Sequence, residues 1–232
     1  MFSDQFNIAI DGLSATGKTT IGQQFARQYK FKFIDSGRFY RYYAKYYEDV
    51  NEDNLALFLD FFIDNPEALT ILNTFDGGDD QEEKLLIGNK ASLLSKNETL
   101  RDTINTIIQK MVVGKKYVVV GRDATTKILP DAEVKILLDS NLETRVQRRS
   151  HQTNLDPVAV LSDLLQRDNE SFELIQEASK VSTMIDTTHL DIEQTIRKLI
   201  LISFLQLIRA NTNYYLFYCL LFFLILYCKL YL

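Results

Sequence analysis

The sequence has few cysteines and few histidines, and these shortages exclude several kinds of site. Its 232 residues include two cysteines and two histidines. Cys219 and Cys228 both lie near the C-terminal end, so the rest of the chain can form neither a disulfide framework nor a cysteine metal site. His151 and His189 have no partner that suggests a catalytic triad or a metal site, and we assign them no role. A reducing cytoplasm is the simplest compartment for such a chain.

The chain also lacks an excess of positive charge. Its formal net charge is −5, which argues against a nucleic-acid-binding protein that relies on a basic surface. Any site for phosphate must then be a local concentration of lysine and arginine. The N-terminal residues lead almost at once into a predicted strand, so we expect no signal peptide and a cytoplasmic location.

Short apolar runs alternate with segments of helical pattern along most of the chain. Alternating strands and helices predict an α/β fold, with a doubly wound parallel sheet and flanking helices. The length fits one such domain with a small insertion. The tyrosine-rich stretch "FYRYYAKYY" is expected to pack in the core. The predicted strands are Phe6–Ile10, "FKFID", "KKYVVVGRD", "AEVKILLD" and "STMIDTT".

The C-terminal segment differs from the rest in composition. Every residue from Tyr214 to Cys228 is apolar, aromatic or cysteine, and Lys229 is the only charged residue after Arg209. As a helix this run spans about 22 Å, short of the ~30 Å hydrocarbon core, whereas an extension to residue 232 spans about 28 Å. Three interpretations of residues 214–232 stay open: a packed helix or strand, a membrane anchor, and an extension with no function of its own.

The stretch "GLSATGKT", Gly12 to Thr19, matches the pattern G-x-x-x-x-G-K-[ST] without a mismatch. Its glycines let the backbone wrap around a polyphosphate, with N–H groups pointing inward at the start of a helix. Lys18 would reach the β- and γ-phosphates, and Thr19 would hold Mg²⁺. An ordinary glycine-rich turn is the alternative, and a dinucleotide fingerprint is disfavoured because G-x-G-x-x-G is absent. The residues predicted to bind the nucleoside triphosphate are Gly12, Leu13, Ser14, Ala15, Thr16, Gly17, Lys18, Thr19 and Thr20.

Polar residues also follow two other predicted strands. Asp35 and Ser36 end the second strand, with Arg41 further along the next helix, and Arg122 and Asp123 end a third strand. Ligands of open parallel sheets bind at the carboxyl ends of the strands, so these residues are candidates for an acceptor site. Two further groups are the cluster Arg145, Arg148 and Arg149 on one short helix, and Arg167 with Asp168 at the predicted end of the next helix.

On these residues the sequence resembles the bacterial cytidylate kinases, which are nucleoside monophosphate kinases. The resemblance covers about residues 6 to 205, and its motifs occur in the family's order with near-family spacing. They are "IAIDGLSATGKTT", "FIDSGRFYR", "NKASLLSKNETLR", "GRDATTKILPDAEVKILLD", "ETRVQRR", "QRD" and "IDTTHLDIEQ". The resemblance implies ATP-dependent phosphorylation of CMP and dCMP by a monomer, with Mg²⁺ as cofactor.

The resemblance also implies a division of the chain and a role for each matching residue. A kinase domain would cover residues 1–210, with a CMP-binding insertion over about 50–100 and a lid over about 145–166, followed by an apolar tail over 211–232. Lys18, Arg122 and Arg167 would be catalytic, the loop would bind ATP, and Thr19 would bind Mg²⁺. The residues implied to bind CMP are Ser36, Arg41, Ser92, Arg101, Arg122 and Asp123, and those implied for the lid are Arg145, Arg148 and Arg149.

Several of these residues have simpler interpretations. Ser36 could cap the helix that follows it. Arg122 and Asp123 could form an ordinary surface ion pair. Ser92, Arg101 and the arginine cluster could lie on solvated helix faces.

The sequence departs from the family's pattern in the lid region and beside Asp123. In an ungapped match, Ser171 and Leu174 stand where the family usually has an Asp and an Arg, although Glu170 could supply the acid. Thr125 stands where glycine is usual, and is expected to restrict the backbone. The lid is also several residues shorter.

The leading hypothesis is therefore phosphorylation of CMP and dCMP with ATP, in pyrimidine nucleotide metabolism. A kinase for another small acceptor, such as UMP, is an enzymatic alternative. A degenerate paralogue that binds nucleotide without turnover is the non-enzymatic alternative, and the departures from the family motivate it.

Overall fold

Five parallel strands form the centre of the structure, a computed structural model that describes residues 6–75 and 77–210. The strands within these ranges are β1 (Ile8–Gly12), β2 (Lys32–Asp35), β3 (Tyr117–Gly121), β4 (Val134–Asp139) and β5 (Thr183–Asp186). They pair in the order β2-β3-β1-β4-β5, and every pair is parallel. The predicted parallel α/β fold is confirmed.

Helices connect the strands and pack on both faces of the sheet. A π-helical turn over Ala124–Ile128, here called the π-turn, follows β3. The helices of the described residues are α1 (Lys18–Tyr29), α2 (Ser36–Tyr46), α3 (Glu52–Asp64), α4 (Ala68–Thr74), α5 (Gln81–Leu94), α6 (Glu98–Met111), α7 (Leu142–Thr153), α8 (Pro157–Val181) and α9 (Ile192–Ala210).

Side-chain caps fix where several of these helices begin. Asn97 accepts a hydrogen bond from the N–H of Leu100 at 2.9 Å, and Asn141 accepts one from Thr144 at 2.8 Å. Asp156 caps α8, and proline is the first residue of this helix. Proline is tolerated there because an N–H at this position would have no partner within the helix. The chain from there to Val181 contains neither glycine nor a second proline, so the helix continues for 25 residues.

Two apolar clusters lie on opposite faces of the sheet. One packs α2, α3 and α6 against β2 and β3, and includes the fully buried Tyr43 and Phe58, whose ring centroids are 5.1 Å apart. The other packs α1 and α9 against β1 and β4, and includes Phe25 and Leu199. The tyrosine-rich stretch therefore contributes to the core, as predicted.

The strand register brings the carboxyl ends of four strands to one edge of the sheet. Asp11 of β1 pairs with Gly121 of β3, and Asp35 of β2 pairs with the residue before Gly121. On the other side of β1, Gly12 pairs with Leu138 of β4. Strand β1 was predicted two residues too early, because pairing with both neighbours extends it through Asp11 and Gly12. This edge carries the polar residues picked out from the sequence.

Helices α3, α4 and α5 lie within the segment predicted as an insertion. Their link to the rest of the chain is partly polar, since Asn73 donates to the carbonyl of Phe33 at 3.0 Å and Lys90 donates to that of Tyr47 at 3.0 Å. The predicted apolar tail, residues 211–232, lies outside the described residues. Among residues 6–75 and 77–210, no helix has both the length and the apolar composition needed to cross a membrane.

Candidate active site

The phosphate loop joins the end of β1 to the start of α1, in the strand–loop–helix setting that the sequence predicts. A Cβ atom on Gly12 would come within 2.5 Å of the carbonyl oxygen of Leu138, so only glycine fits this close approach. Gly17 has a φ of 95° and Ala15 a φ of 62°, so the backbone turns through the left-handed region twice. The hydroxyl of Thr16 donates to the carbonyl of Leu13 at 2.9 Å and closes the loop on itself.

Lys18, the first residue of α1, folds back over this loop. Its Nζ donates to the carbonyl of Leu13 at 2.9 Å. Burial, together with the positive charge of Arg122, lowers the pKa of Lys18 to about 8. An anion bound beside the loop would favour the protonated form of Lys18 and raise its pKa again. Lys18 is therefore suited to bind a phosphate group.

Thr19 and Asp35 bring two oxygen donors together beside the loop. The hydroxyl of Thr19 donates to Oδ2 of Asp35 at 3.1 Å. Hydroxyl and carboxylate oxygens suit Mg²⁺, which keeps several waters and is usually held together with substrate phosphates. Among the described residues, no three His, Cys, Asp or Glu side chains cluster as a metal site. The donor set therefore fits a magnesium ion that arrives with a nucleotide.

Asp11 connects the loop to the end of β3 and was missed by the sequence analysis. Its buried carboxylate accepts hydrogen bonds from the N–H of Ala124 at 2.8 Å, from the N–H of Thr125 at 2.9 Å and from the hydroxyl of Thr125 at 2.6 Å. Burial outweighs these hydrogen bonds, which act in the opposite direction, and the pKa of Asp11 is raised to about 6. Thr125, at a position where the resemblance implies glycine, thus anchors the π-turn to β1. Its φ does not lie in the left-handed region.

Arg122 spans the gap between the phosphate loop and α8. It donates to the hydroxyl of Ser14 at 2.8 Å, to the hydroxyl of Ser171 and to the carbonyl of Arg167 at 3.4 Å. Burial lowers the pKa of Arg122, and the charge of Arg167 lowers it further. The interpretation of Arg122 and Asp123 as a surface ion pair is wrong, because Asp123 is buried and pairs with Arg101 instead, at 2.7 Å.

Three further residues predicted to bind CMP lie on α2 and α5. Ser36 is buried at the start of α2, but the cap of that helix is Asp35, which accepts from the N–H of Gly37 at 2.9 Å, so the capping interpretation of Ser36 is wrong. Arg41 lies 3.8 Å from the Asp35 carboxylate. Ser92, near the end of α5, donates to Glu170 of α8 at 3.0 Å.

The arginines of α7 have separate surroundings and do not share a solvated face. Arg145 is buried, donates to the carbonyl of Ser14 at 3.3 Å and pairs with Asp168 at 2.7 Å. Arg148 donates to the carbonyl of Thr187 at 2.7 Å. Burial lowers the pKa of Arg149, and the charges of Arg167 and Arg41 lower it further. The positive charges of Arg149, Arg167 and Arg41 thus lie close enough to affect one another, an arrangement that suits an anionic ligand.

Arg167 and Asp168 lie inside α8, so the prediction that they end a helix is wrong. The helix continues for more than three turns beyond them, to Val181, because nothing in its sequence breaks it. Ser171 is fully buried and donates its hydroxyl to the carbonyl of Arg167 at 2.7 Å. Leu174 is half-buried on the same helix and offers no charge.

These features define the class of the protein. A parallel sheet, a complete phosphate loop after its first strand, and basic side chains that converge on that loop make the chain a P-loop kinase-type domain. The family model described as cytidylate kinase matches residues 8–203, and the chain belongs to the cytidylate kinase family.

Similar proteins agree with this assignment. A cytidylate kinase of Mycoplasmopsis synoviae is 32% identical over 216 residues, covering 84% of this chain and 96% of that protein. A cytidylate kinase of Mycoplasmopsis pulmonis is 33% identical over 224 residues, covering 84% and 93%. A solved structure of an uncharacterized protein from Eubacterium ventriosum matches 84% of this chain and 96% of its own, with a TM-score of 0.51 and 14% identity, which concerns the fold alone. Family membership confirms the predicted class of enzyme, a nucleoside monophosphate kinase.

Proposed function

We propose that this chain transfers the γ-phosphate of ATP to CMP, and also to dCMP, with release of ADP and the nucleoside diphosphate. The observation that carries the proposal is the complete phosphate loop in a chain of the cytidylate kinase family. Phosphoryl transfer needs little covalent help from the protein, and depends on alignment of the reactants and neutralisation of charge. The residues at the carboxyl edge of the sheet are suited to both tasks.

In this proposal the loop over residues 12–20 binds ATP. Its backbone N–H groups and the start of α1 face the phosphates, and Lys18 neutralises charge on the β- and γ-phosphates. Thr19 and Asp35 would hold Mg²⁺, which supplies charge neutralisation when bound. Arg122 reaches from the loop to α8 and is suited to the transferred phosphate, since its planar fork can bind two oxygens at once. Arg167 lies beside Arg122 and would act on the same group.

The acceptor would lie between α2, α5, α6 and the π-turn. Arg41 and Arg122 would bind the phosphate of CMP, and Ser36 would contact the nucleotide. Ser92, Arg101 and Asp123 would read the base, since together they offer both hydrogen-bond donors and acceptors. The pairing of Arg101 with Asp123 supports this, because the pair holds both side chains in place before a base arrives.

Two segments of the chain also have a role in the proposed function. Residues 50–100 serve as a CMP-binding insertion, and residues 145–166 close over ATP with Arg145, Arg148 and Arg149. The chain acts as a cytoplasmic monomer on small molecules. Closure would exclude water, so that ATP is transferred to CMP in preference to being hydrolysed.

Release of ADP by the purified full chain tests this function. The protein is given Mg-ATP and, in turn, CMP, dCMP, UMP and AMP in a coupled assay. We expect release with CMP and dCMP well above that with UMP and AMP. Equal or greater release with UMP would favour the UMP kinase alternative.

The non-enzymatic alternative rests on one observation, namely that Leu174 offers no charge at a position where the resemblance implies an arginine. It predicts that ATP and CMP bind without turnover. Calorimetric binding of both ligands, together with ADP release far below about 1 s⁻¹, the low end of typical enzymes, would support it and would contradict the proposed function.

A further inference from the structure

Glu170 is a half-buried carboxylate that joins α8 to the end of α5. Its side chain is 15% exposed and accepts three hydrogen bonds. Ser92 donates its hydroxyl to Oε2 at 3.0 Å, while Lys96 at 3.0 Å and Gln166 at 3.3 Å both donate to Oε1. The residue stands next to those of the candidate active site, yet the proposed chemistry gives it no task.

The ionisation of Glu170 fixes the direction of its bond to Ser92. Burial alone would raise the pKa of Glu170, but the hydrogen bonds from Lys96, Gln166 and Ser92 outweigh it, so the pKa lies below its usual value. An ionised carboxylate has no proton to give and only accepts hydrogen bonds. The hydroxyl proton of Ser92 must therefore point at Glu170.

Ser92 belongs to the same hydrogen-bonded network as the side chains proposed to read the base. Its carbonyl accepts from the hydroxyl of Ser95 at 2.7 Å. The carbonyl of Ser95 in turn accepts from Arg101, which pairs with Asp123 at 2.7 Å. The end of α5, the start of α6 and the end of β3 are thus held together, and Glu170 supports this group from α8.

We propose that Glu170 selects cytosine over uracil by fixing the hydrogen-bond polarity of Ser92. This inference rests on the proposed function, in which Ser92 contacts the acceptor base. A serine hydroxyl has one proton to donate and two lone pairs to accept. When the hydroxyl proton of Ser92 is donated in a hydrogen bond to Glu170, Ser92 can only accept hydrogen bonds from a ligand. The exocyclic amino group of cytosine can donate to them, whereas uracil has a carbonyl oxygen at the same ring position, which cannot.

The selection is therefore built from two residues with different tasks. Ser92 would touch the base, and Glu170 is a positioning residue that acts only through Ser92. If Glu170 is removed, the hydroxyl of Ser92 can rotate and donate to the carbonyl of uracil. The preference for CMP should then weaken without any change in the residues that contact the phosphates.

The variant Glu170→Met tests this proposal in the full chain, because methionine keeps the side-chain length and the helix propensity. We measure kcat/KM for CMP and for UMP on the same preparation, so that the ratio does not depend on the fraction of folded protein. The ratio is expected to fall about tenfold, which is what one mispaired hydrogen bond is worth. Lys96→Met is the matched control, since it removes a partner of Oε1 and leaves the bond of Ser92 in place. It should keep the ratio within about twofold of wild type.

A double-mutant cycle separates action through Ser92 from a general disturbance. In a Ser92→Ala background, Glu170→Met should leave the ratio unchanged, because the hydroxyl that it orients is gone. An unchanged ratio in the single variant, or an equal fall in both backgrounds, would overturn the proposal. If wild-type protein makes no CDP, the proposed function fails by itself. The ratio of dissociation constants for CMP and UMP, measured by calorimetry on the same variants, then tests the selection in the same way.

Discussion

The two sides of this site are constructed differently. The side proposed to bind ATP is one continuous stretch, residues 12–20, whose shape comes from local backbone turns. The acceptor side gathers Arg101 from α6, Asp123 from the end of β3, Ser92 from α5 and Glu170 from α8. One side is a property of the local sequence, and the other exists only after the sheet and its helices have assembled.

The comparison shows where the two sides depend on each other. Asp11 lies directly before the phosphate loop and holds the N–H groups of the π-turn, directly after Asp123. Arg122 makes the second connection, from Ser14 of the loop to Ser171 of α8. Substitutions within one side should therefore affect one function, whereas substitutions at these two residues should affect both.

Lys18→Met removes the lysine charge on the side proposed to bind ATP, and it should have the largest effect on activity. We expect kcat with Mg-ATP and CMP to fall by about a hundred- to a thousandfold, because the charge that meets the transferred phosphate is lost. The melting temperature should not fall, since burial already disfavours the charged form of Lys18. Steady-state kinetics and thermal unfolding check both points. A kcat within tenfold of wild type would contradict the role given to this lysine.

Arg122→Lys breaks the connection between the two sides. A lysine cannot reproduce the planar fork that contacts both Ser14 and Ser171, so we expect kcat/KM to fall by about a hundredfold for ATP and for CMP alike. Arg197→Lys is a matched control, because this exposed arginine of α9 pairs only with Glu193 among the contacts described. A loss confined to one substrate would show that Arg122 serves one side only.

The raised pKa of Asp11 should make the free energy of unfolding depend on pH. Its folded pKa of about 6 lies above the usual value near 3.8, so the unfolded chain binds fewer protons between these pH values. The contribution of Asp11 to the free energy of unfolding therefore falls as the pH rises from about 4 to about 6, by roughly 2 to 3 kcal/mol. Denaturant unfolding of wild type and Asp11→Asn over this range checks the difference between them. A difference that stays constant with pH would show that Asp11 keeps an ordinary pKa.

Thr125→Val tests how much the hydroxyl that donates to Asp11 contributes to stability, and its expected effect is smaller. Valine keeps the shape but removes the hydroxyl that donates to the buried Asp11 at 2.6 Å, so we expect a loss of about 1 to 3 kcal/mol in the free energy of unfolding. Thr126→Val is the control, because the bond of Thr126 to the carbonyl of Asp123 is long, at 3.4 Å. Equal losses in the two variants would argue that the bond to Asp11 has no special value.

The same contrast explains what could be predicted from the sequence. The phosphate loop and the strand–helix alternation were predicted correctly, because both depend on residues close together in the chain. The partners of Asp11 are more than a hundred positions away, and Ser92 meets Glu170 across 78 positions, so no local pattern reveals them. Arg167 was placed at a helix end although no glycine or second proline follows it before Val181, so the length of α8 could have been inferred from this absence of helix-breaking residues.

One competition experiment tests whether the chain is a kinase that prefers CMP as its acceptor. The full chain is incubated with Mg-ATP and equal amounts of CMP and UMP, and the products are separated by chromatography over time. We expect CDP to accumulate well ahead of UDP, with one ADP formed for each CDP or UDP. Equal formation of CDP and UDP would contradict the acceptor site described here, and no diphosphate from protein that binds both nucleotides would contradict the assignment as a kinase.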